Sequence, residues 1–400
     1  MSAPGIKYPR VHLAMDNSFA SKRWTAPSEW GRVIRDLGIC CVEASADTEA
    51  DPFYCGAEVL EAWVEEVRAA SAESGVKVVN LFTGYTTYRT LGLAHPDPRV
   101  RQRIVSDWLG VAAGVAARLG AGLGFYLHAF PERVLQDPPA YARTKESLYD
   151  TLAEVARRST AAGCAATMVE QMYSPQQIPW TIEGTREVLA EVLRRGGPAA
   201  YVALDTGHQT GQRRFLRPGR QVIEQALEGG EGAPYLGSDS AYALFEEARG
   251  RRGQAAAAAG RIGEEMDRYP HLFAAKEDCD LYRWLEEVGP YSPIVHLQQS
   301  SGRSSAHLPF LRANNAVGIV SPPQVLEALA RGYQRPPAPG MPPRTEDVYL
   351  TFEIFFGTAD RPREMLPALA ESVSHWRRWV PADGTRLDEL LRLEQRESDR

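Results

Sequence analysis

A chain of 400 residues with 44% hydrophobic and 24% charged residues has the make-up of a globular protein with a sizeable core. Its 45 basic and 51 acidic residues give a net charge of −6, which excludes a global electrostatic pull towards nucleic acid or an anionic membrane surface. No apolar run reaches the roughly 20 residues of a membrane helix, MSAPGIKYPR has no apolar signal core, and five cysteines lack metal-finger or disulfide-framework spacing, so a cytoplasmic setting is expected.

Short apolar runs alternate with amphipathic stretches along the chain. Val11–Met15 reads as a first buried strand, and Pro27 opens a helix with Trp30, Val33, Ile34 and Leu37 on one face and Gly38 as its stop. Strand 39–43 follows, then a helix carrying Leu60, Val64 and Val67 that closes at Gly75. Strand 76–82, a helical pattern over 99–119, strand 121–127, a helix at 141–162, strand 165–170, a helix at 182–195 and strand 200–205 continue the alternation. Strands 293–297 and 348–352 bring the total to eight. Repeated βα units imply parallel strands with right-handed crossovers. Eight of them, with no GxGxxG turn after the first strand, predict an α/β fold: a closed (β/α)8 TIM barrel rather than an open doubly wound sheet. The whole of 1–400 is read as one barrel domain. Residues 209–280 form one long insertion after strand six, and 381–400 a charged C-terminal helix or tail.

Catalytic groups of a parallel barrel sit at the C-terminal ends of its strands. Glu43 ends strand two, His128 lies near the end of strand four, Glu170 ends strand five, and Asp205 ends strand six with His208 three residues on. Strand seven carries His296 and Gln298 on one face, and strand eight ends in Glu353. Individually each has an ordinary alternative. Asp205-Thr206-Gly207 suits an Asx turn, His296 suits a satisfied core histidine, Glu43 is either pocket lining or half of a structural pair, and His128 leans structural. Together, Glu170, Asp205 and Glu353 converge on one small volume and would repel. A divalent cation removes that conflict, and a set of two Glu, one Asp and one neutral His or amide suits Mn²⁺, Mg²⁺ or Co²⁺.

Met168-Val169-Glu170, Leu204-Asp205-Thr206-Gly207-His208, His296-Leu297-Gln298 and Thr351-Phe352-Glu353, in that order, resemble the sugar phosphate isomerase/epimerase family with xylose-isomerase-like TIM barrels, relatives of ketose 3-epimerases, hydroxypyruvate isomerase and inosose dehydratase. Gly92-Leu93 and Pro96-Asp97-Pro98-Arg99 resemble the family's loop and helix start after strand three. The resemblance covers about residues 10–205 and 285–375, not the insertion. It implies a metal shell of Glu170, Asp205, Gln298 and Glu353, with His296 the alternate strand-seven ligand. Glu170 and Glu353 are then the acid/base pair, and His208 contacts the substrate oxygens. Gln176 stands where the epimerases place a second Glu, and Arg303 is offset by one from the family's sugar-contacting Arg. With Glu43 and His296, these complete the expected substrate-binding set.

The implied chemistry is isomerisation or epimerisation of a sugar or sugar phosphate, by proton transfer through an enediolate held on a divalent metal, Mn²⁺ first. Expulsion of a β-hydroxyl, as in the family's dehydratases, and a non-catalytic sugar-binding barrel are the rivals. A multi-zinc endonuclease needs more strand-end histidines than a chain with 8 His provides. Arg213, Arg214, Arg217 and Arg220 and the run Ser300-Ser301-Gly302-Arg303-Ser304 are read either as phosphate donors or as solvated loops. A homo-oligomer is expected, as is common for such barrels. Trp24, Trp30, Phe53 and Tyr54 are candidates for a pocket rim or an interface.

Overall fold

The computed structural model describes residues 6–84, 90–127, 130–229, 232–251 and 253–398. Eight parallel strands close on themselves: β1 (Arg10–Asp16), β2 (Cys41–Ser45), β3 (Lys77–Thr83), β4 (Gly122–Phe125), β5 (Thr167–Glu170), β6 (Tyr201–Asp205), β7 (Ile294–Leu297) and β8 (Asp347–Phe352). Each pairs with the next, and β1 pairs with both β2 and β8. The expected (β/α)8 barrel is therefore present. A two-residue strand, β9 (Thr385–Arg386), joins antiparallel to β1 at Arg10 and Val11.

The helices follow the apolar spacing. In α1 (Pro27–Asp36), Pro27, Trp30 and Ile34 face inward, and Glu29 accepts the Ala26 N–H at 3.1 Å, satisfying a free donor of the first turn. In α2 (Ala57–Ser74), Leu60, Trp63, Val64 and Val67 are buried, and the helix ends in left-handed Gly75. The helix expected over 99–119 is interrupted: Pro98–Arg103 leads into a π-helical stretch at Ile104–Leu109, where the Gly110 N–H reaches Val105 O, before α3 (Gly110–Arg118). Asp137 caps α4 (Pro138–Ala162) and Thr181 caps α5 (Ile182–Arg194).

Between β6 and β7 lie a short helix Gln209–Gln212, a turn Arg213–Phe215, and α6 (Arg220–Gly229), α7 (Asp239–Ala248) and α8 (Ala255–Asp267), ahead of α9 (Leu281–Val288). The apolar faces of this segment extend the main core: Ile223, Phe245, Ile262 and Met266 are essentially inaccessible and continuous with it. Asp278 pins it to the barrel by accepting the Ile182 N–H at 2.7 Å and the Ala275 N–H at 2.8 Å. After α10 (Pro322–Gln334) and α11 (Pro362–Arg377), the chain ends in α12 (Leu387–Ser398), which lies against α10. None of the described helices is long and apolar enough to cross a membrane.

Two apolar layers result. The larger lies between barrel and helices, and a small plug of Phe82, Met168, Ala203 and Ile294 fills the barrel itself. Space inside is tight: a Cβ on Gly124 would come within 2.6 Å of the Phe82 ring and 2.8 Å of Asn80 Nδ2. Gly124→Ala is thus expected to destabilise the fold by about 1–3 kcal/mol, read as a lower urea midpoint at unchanged m-value. An unshifted midpoint would contradict this packing.

Candidate metal and active site

Strand register assembles the site. Neighbouring parallel strands point paired residues to the same side, and the register sets Asp16 beside Glu43 and Glu43 beside Asn80. Across the barrel it sets Asp205 beside His296 and His296 beside Thr351. Glu170 and Glu353 complete the layer from the ends of β5 and β8. One ligand atom from each of Glu170, Asp205, His296 and Glu353 lies within 4.8 Å of the others, and all four residues are buried.

His296 is the hub. Its Nε2–H donates to Glu43 Oε1 at 2.7 Å, while Glu43 Oε2 accepts from Asn80 Nδ2 at 2.7 Å. That fixes the ring with Nδ1 aimed into the cluster, 3.4 Å from Glu170 Oε1 and 3.5 Å from Glu353 Oε2. Asp205 Oδ1 accepts the Gly207 N–H at 2.7 Å and the His208 N–H at 2.8 Å, so the Asx turn and the inward carboxylate coexist in one residue.

Donor chemistry tests whether this pocket fits a divalent cation. Both oxygens of Glu170, Glu353 Oε2 and His296 Nδ1 are buried without a hydrogen-bond partner among the described residues. Orphaned atoms of this kind are costly unless something fills the space between them. Three carboxylates and an imidazole with no thiolate are the donor set for a hard to borderline ion. In the metal-free arrangement, protons balance the charge. Burial works against a charged His296, but Glu353 and Glu43 outweigh it and raise its pKa well above the usual value. Burial likewise pushes the Glu170 carboxyl up against the pull of His296. Burial opposes ionisation of Glu353 too, yet the charges of His296 and His307 hold it well below the ordinary carboxylate range.

The expected site residues divide into three groups. Glu170, Asp205, Glu353 and His296 meet in the cluster, and His208 stands next to it. The His208 Nδ1–H donates to Gln171 O at 2.7 Å, leaving Nε2 for a ligand. Gln298 is adjacent but otherwise engaged: Nε2 donates to both Asp205 oxygens at 2.8 and 2.9 Å, and Oε1 accepts the His307 N–H at 2.7 Å. The fourth inward donor from β7 is therefore His296, and Gln298 clamps Asp205, unlike the expected ligand assignment. Glu43 is wholly buried with both oxygens occupied, which places it behind His296 rather than against substrate. Gln176 is not brought in: it is exposed in the turn closed by the Ser174–Gln177 bridge. Trp30 is a core residue donating to Glu49 at 3.1 Å, while Phe53 and Tyr54 are exposed, so those aromatics do not form one cluster. His128 falls outside the described residues.

Two further groups join the site. Asp16, at the end of β1, is buried, and burial together with Glu43 and Glu353 raises its pKa to about 7. His307, on the loop after β7, stacks on Phe355 with ring centroids 4.0 Å apart and brings Nδ1 to 3.3 Å from Glu353 Oε2. Its φ of 45° is unusual for a side chain of its size. Above the cluster, a cleft of about 430 Å³ is lined by His208, His307, Phe355 and Tyr173 together with Arg214 and Arg303.

Comparison with known proteins agrees with this architecture. The family described as the xylose isomerase-like TIM barrel matches residues 32–235. A D-erythrulose 1-phosphate 3-epimerase from Brucella abortus (strain 2308) is 34% identical over 104 residues, 26% of this chain and only 30% of that relative's length. A xylose isomerase candidate from Rhodospirillum rubrum has the same fold, with a TM-score of 0.66 at 17% identity over 92% of this chain and 99% of the other. D-psicose 3-epimerase from Clostridium cellulolyticum H10, solved with D-tagatose, gives a TM-score of 0.51 at 14% identity over 97% of this chain and 98% of the other.

Two outcomes are expected of this site. An imidazole must lose its Nδ1 proton to ligate, so divalent-cation binding should release a proton and tighten as pH rises. Calorimetry in two buffers of different protonation enthalpy measures this, and binding without proton release would exclude His296 as a ligand. His307 has a pKa raised from 6.5 to about 9: burial lowers it, and Glu353 more than compensates. The stability it adds to the metal-free protein is present below about pH 6.5 and lost as pH rises through about 9, on the order of 3 kcal/mol. Thermal melts of His307→Asn, which tolerates the backbone angle, should lack that pH slope.

Proposed function

The chain belongs to the xylose isomerase-like TIM-barrel family, and on that premise we propose that it is a divalent-metal-dependent isomerase or epimerase of a sugar or sugar phosphate. The supporting observation is the convergence of Glu170, Asp205, His296 and Glu353, with both Glu170 oxygens, Glu353 Oε2 and His296 Nδ1 unpartnered among the described residues. The partly matching relative, a ketose-phosphate epimerase, supports the same class.

Glu170, Asp205, His296 and Glu353 would hold the ion, Mn²⁺ first, with Gln298 fixing Asp205 and Glu43 fixing His296. When bound, the ion supplies Lewis-acid polarisation of a carbonyl oxygen, which acidifies the neighbouring C–H. One of Glu170 and Glu353 takes the proton from that carbon and the other returns one. Return to the opposite face of the same carbon gives an epimer, and delivery to the old carbonyl carbon gives an isomer. The two carboxylates sit in unlike surroundings, as an acid/base pair requires. Without an ion, His296 and His307 hold Glu353 charged while burial pushes Glu170 towards its protonated form; with His296 ligating, His307 would be the cation left beside Glu353. His208 Nε2 faces the cleft and is placed to orient a substrate hydroxyl. His307 and Phe355 cover the Glu353 side and limit water there.

The test is incubation of the metal-loaded protein with a panel of ketoses and ketose phosphates in D₂O. Deuterium is expected at the carbon beside the carbonyl, with a stereochemically inverted or isomerised product. Glu353→Gln and Glu170→Gln should each slow exchange by about 10²–10⁴-fold. Wild-type rates in both variants would remove the acid/base assignment, and a dehydrated product would replace it with a lyase.

A further inference from the structure

Resting on that reading, we propose that the substrate is a phosphorylated ketose and that Arg214 and Arg303 grip its phosphate at the rim of the cleft.

Arg214 lies in the turn after β6, Arg303 in the loop after β7, and both side chains are exposed at the cleft that His208 and His307 line from below. No carboxylate among the described residues lines that cleft. Among the described residues, neither guanidinium has an ion pair or hydrogen bond. Nearby arginines behave otherwise. Arg213 donates to Gly302 O at 2.9 Å, Arg217 to Asp267 Oδ1 at 2.7 Å, and Arg220 to Glu224 Oε1 at 2.7 Å. The chain as a whole carries more acid than base, yet this cleft beside the carboxylate cluster brings two unpartnered cations together.

The rim is also built to hold them in place. Arg213 bridges the two elements through Gly302. Inside the second, Ser300 Oγ donates to Ser304 O at 2.6 Å, and the Gly302 N–H donates to Ser300 Oγ at 2.9 Å. The backbone under Arg303 is therefore fixed, while its side chain is left for a ligand. Two guanidinium forks without counter-ions match a dianionic phosphate, which accepts bidentate bonds from each. A neutral hydroxyl would leave both charges unmatched. Glu170 and Glu353, which lie behind the His208 and His307 that line the cleft, repel the same phosphate, so a substrate with a carbonyl at one end and a phosphate at the other has one orientation: carbonyl towards the cluster, phosphate at the rim.

The experiment compares kcat/KM for a ketose phosphate, the same ketose unphosphorylated, and a keto acid of equal length, in metal-loaded wild type, Arg214→Ala, Arg303→Ala and the double variant. Calorimetric binding of a phosphorylated polyol lacking a carbonyl runs in parallel. In wild type the phosphate ester is expected to exceed the free ketose by about 100-fold or more. Each single variant should lower that ratio by about 10-fold, with a larger loss in the double. A wild-type ratio near one, a ratio unchanged in the double variant, or equal preference for the keto acid overturns the proposal. If no ketose reacts but the phosphorylated polyol binds with the same arginine dependence, the phosphate site stands and the isomerase reading falls. If it does not bind, both fall.

Discussion

Three carboxylates facing each other inside an apolar barrel need positive charge, and the upper layer of this protein is organised around supplying it. Removing one ion from water costs several kcal/mol even after relaxation. Glu170, Asp205 and Glu353 are each at most 5% exposed, so solvent does little of the work. His296 provides the first compensation, held in place by a Glu43–Asn80 chain that crosses from β2 to β3. His307 provides a second from a loop. Both are protonated most readily when no cation is present, so proton and metal compete for one role. That competition would let either protons or a cation balance the three carboxylates.

Below this layer, the plug of Phe82, Met168, Ala203 and Ile294 has the opposite character. Its low polarity strengthens the charges above it. Phe82 meets both layers, since its ring lies edge-on to His296 with centroids 5.6 Å apart. The hub imidazole is thus fixed by a carboxylate on one side and an aromatic ring on another, before any ion is considered. Asn80 is similarly shared: Gly124, on the adjacent strand, gives its amide the room to reach Glu43.

The barrel was legible because βα alternation leaves a strong periodic signal, and the strand-end carboxylates because each follows an apolar run. What register decides was not legible. Spacing puts His296 and Gln298 on one face, but only the lateral alignment of β7 with β6 sets His296 opposite Asp205, and only the His307 loop takes the Gln298 amide oxygen out of play. His307 carries no periodic signal; it acts through a left-handed backbone turn that brings it back over Glu353. Asp16 ends β1 as the other candidates end their strands; the same signal applies to it, although it is not among the site residues expected from the sequence. Gln176 matched a family position by counting, whereas the turn bridged at Ser174 and Gln177 leaves it outside the cluster.

Floor and rim of this site are built from different parts of the chain, and that separation bears on how the family diversifies. The floor comes from strand ends, whose positions are locked by hydrogen-bonded register. The rim comes from the turn after β6 and the loop after β7, which can change without disturbing any strand. Solved structures with 13–17% identity keep the barrel. Arg214 stands at the head of the long segment between β6 and β7. That segment shares one continuous apolar core with the barrel and is anchored through Asp278 and the Ile182 N–H. The Arg213–Gly302 hydrogen bond ties the turn at its start to the loop bearing Arg303, so the rim is braced by the same packing that supports the strands.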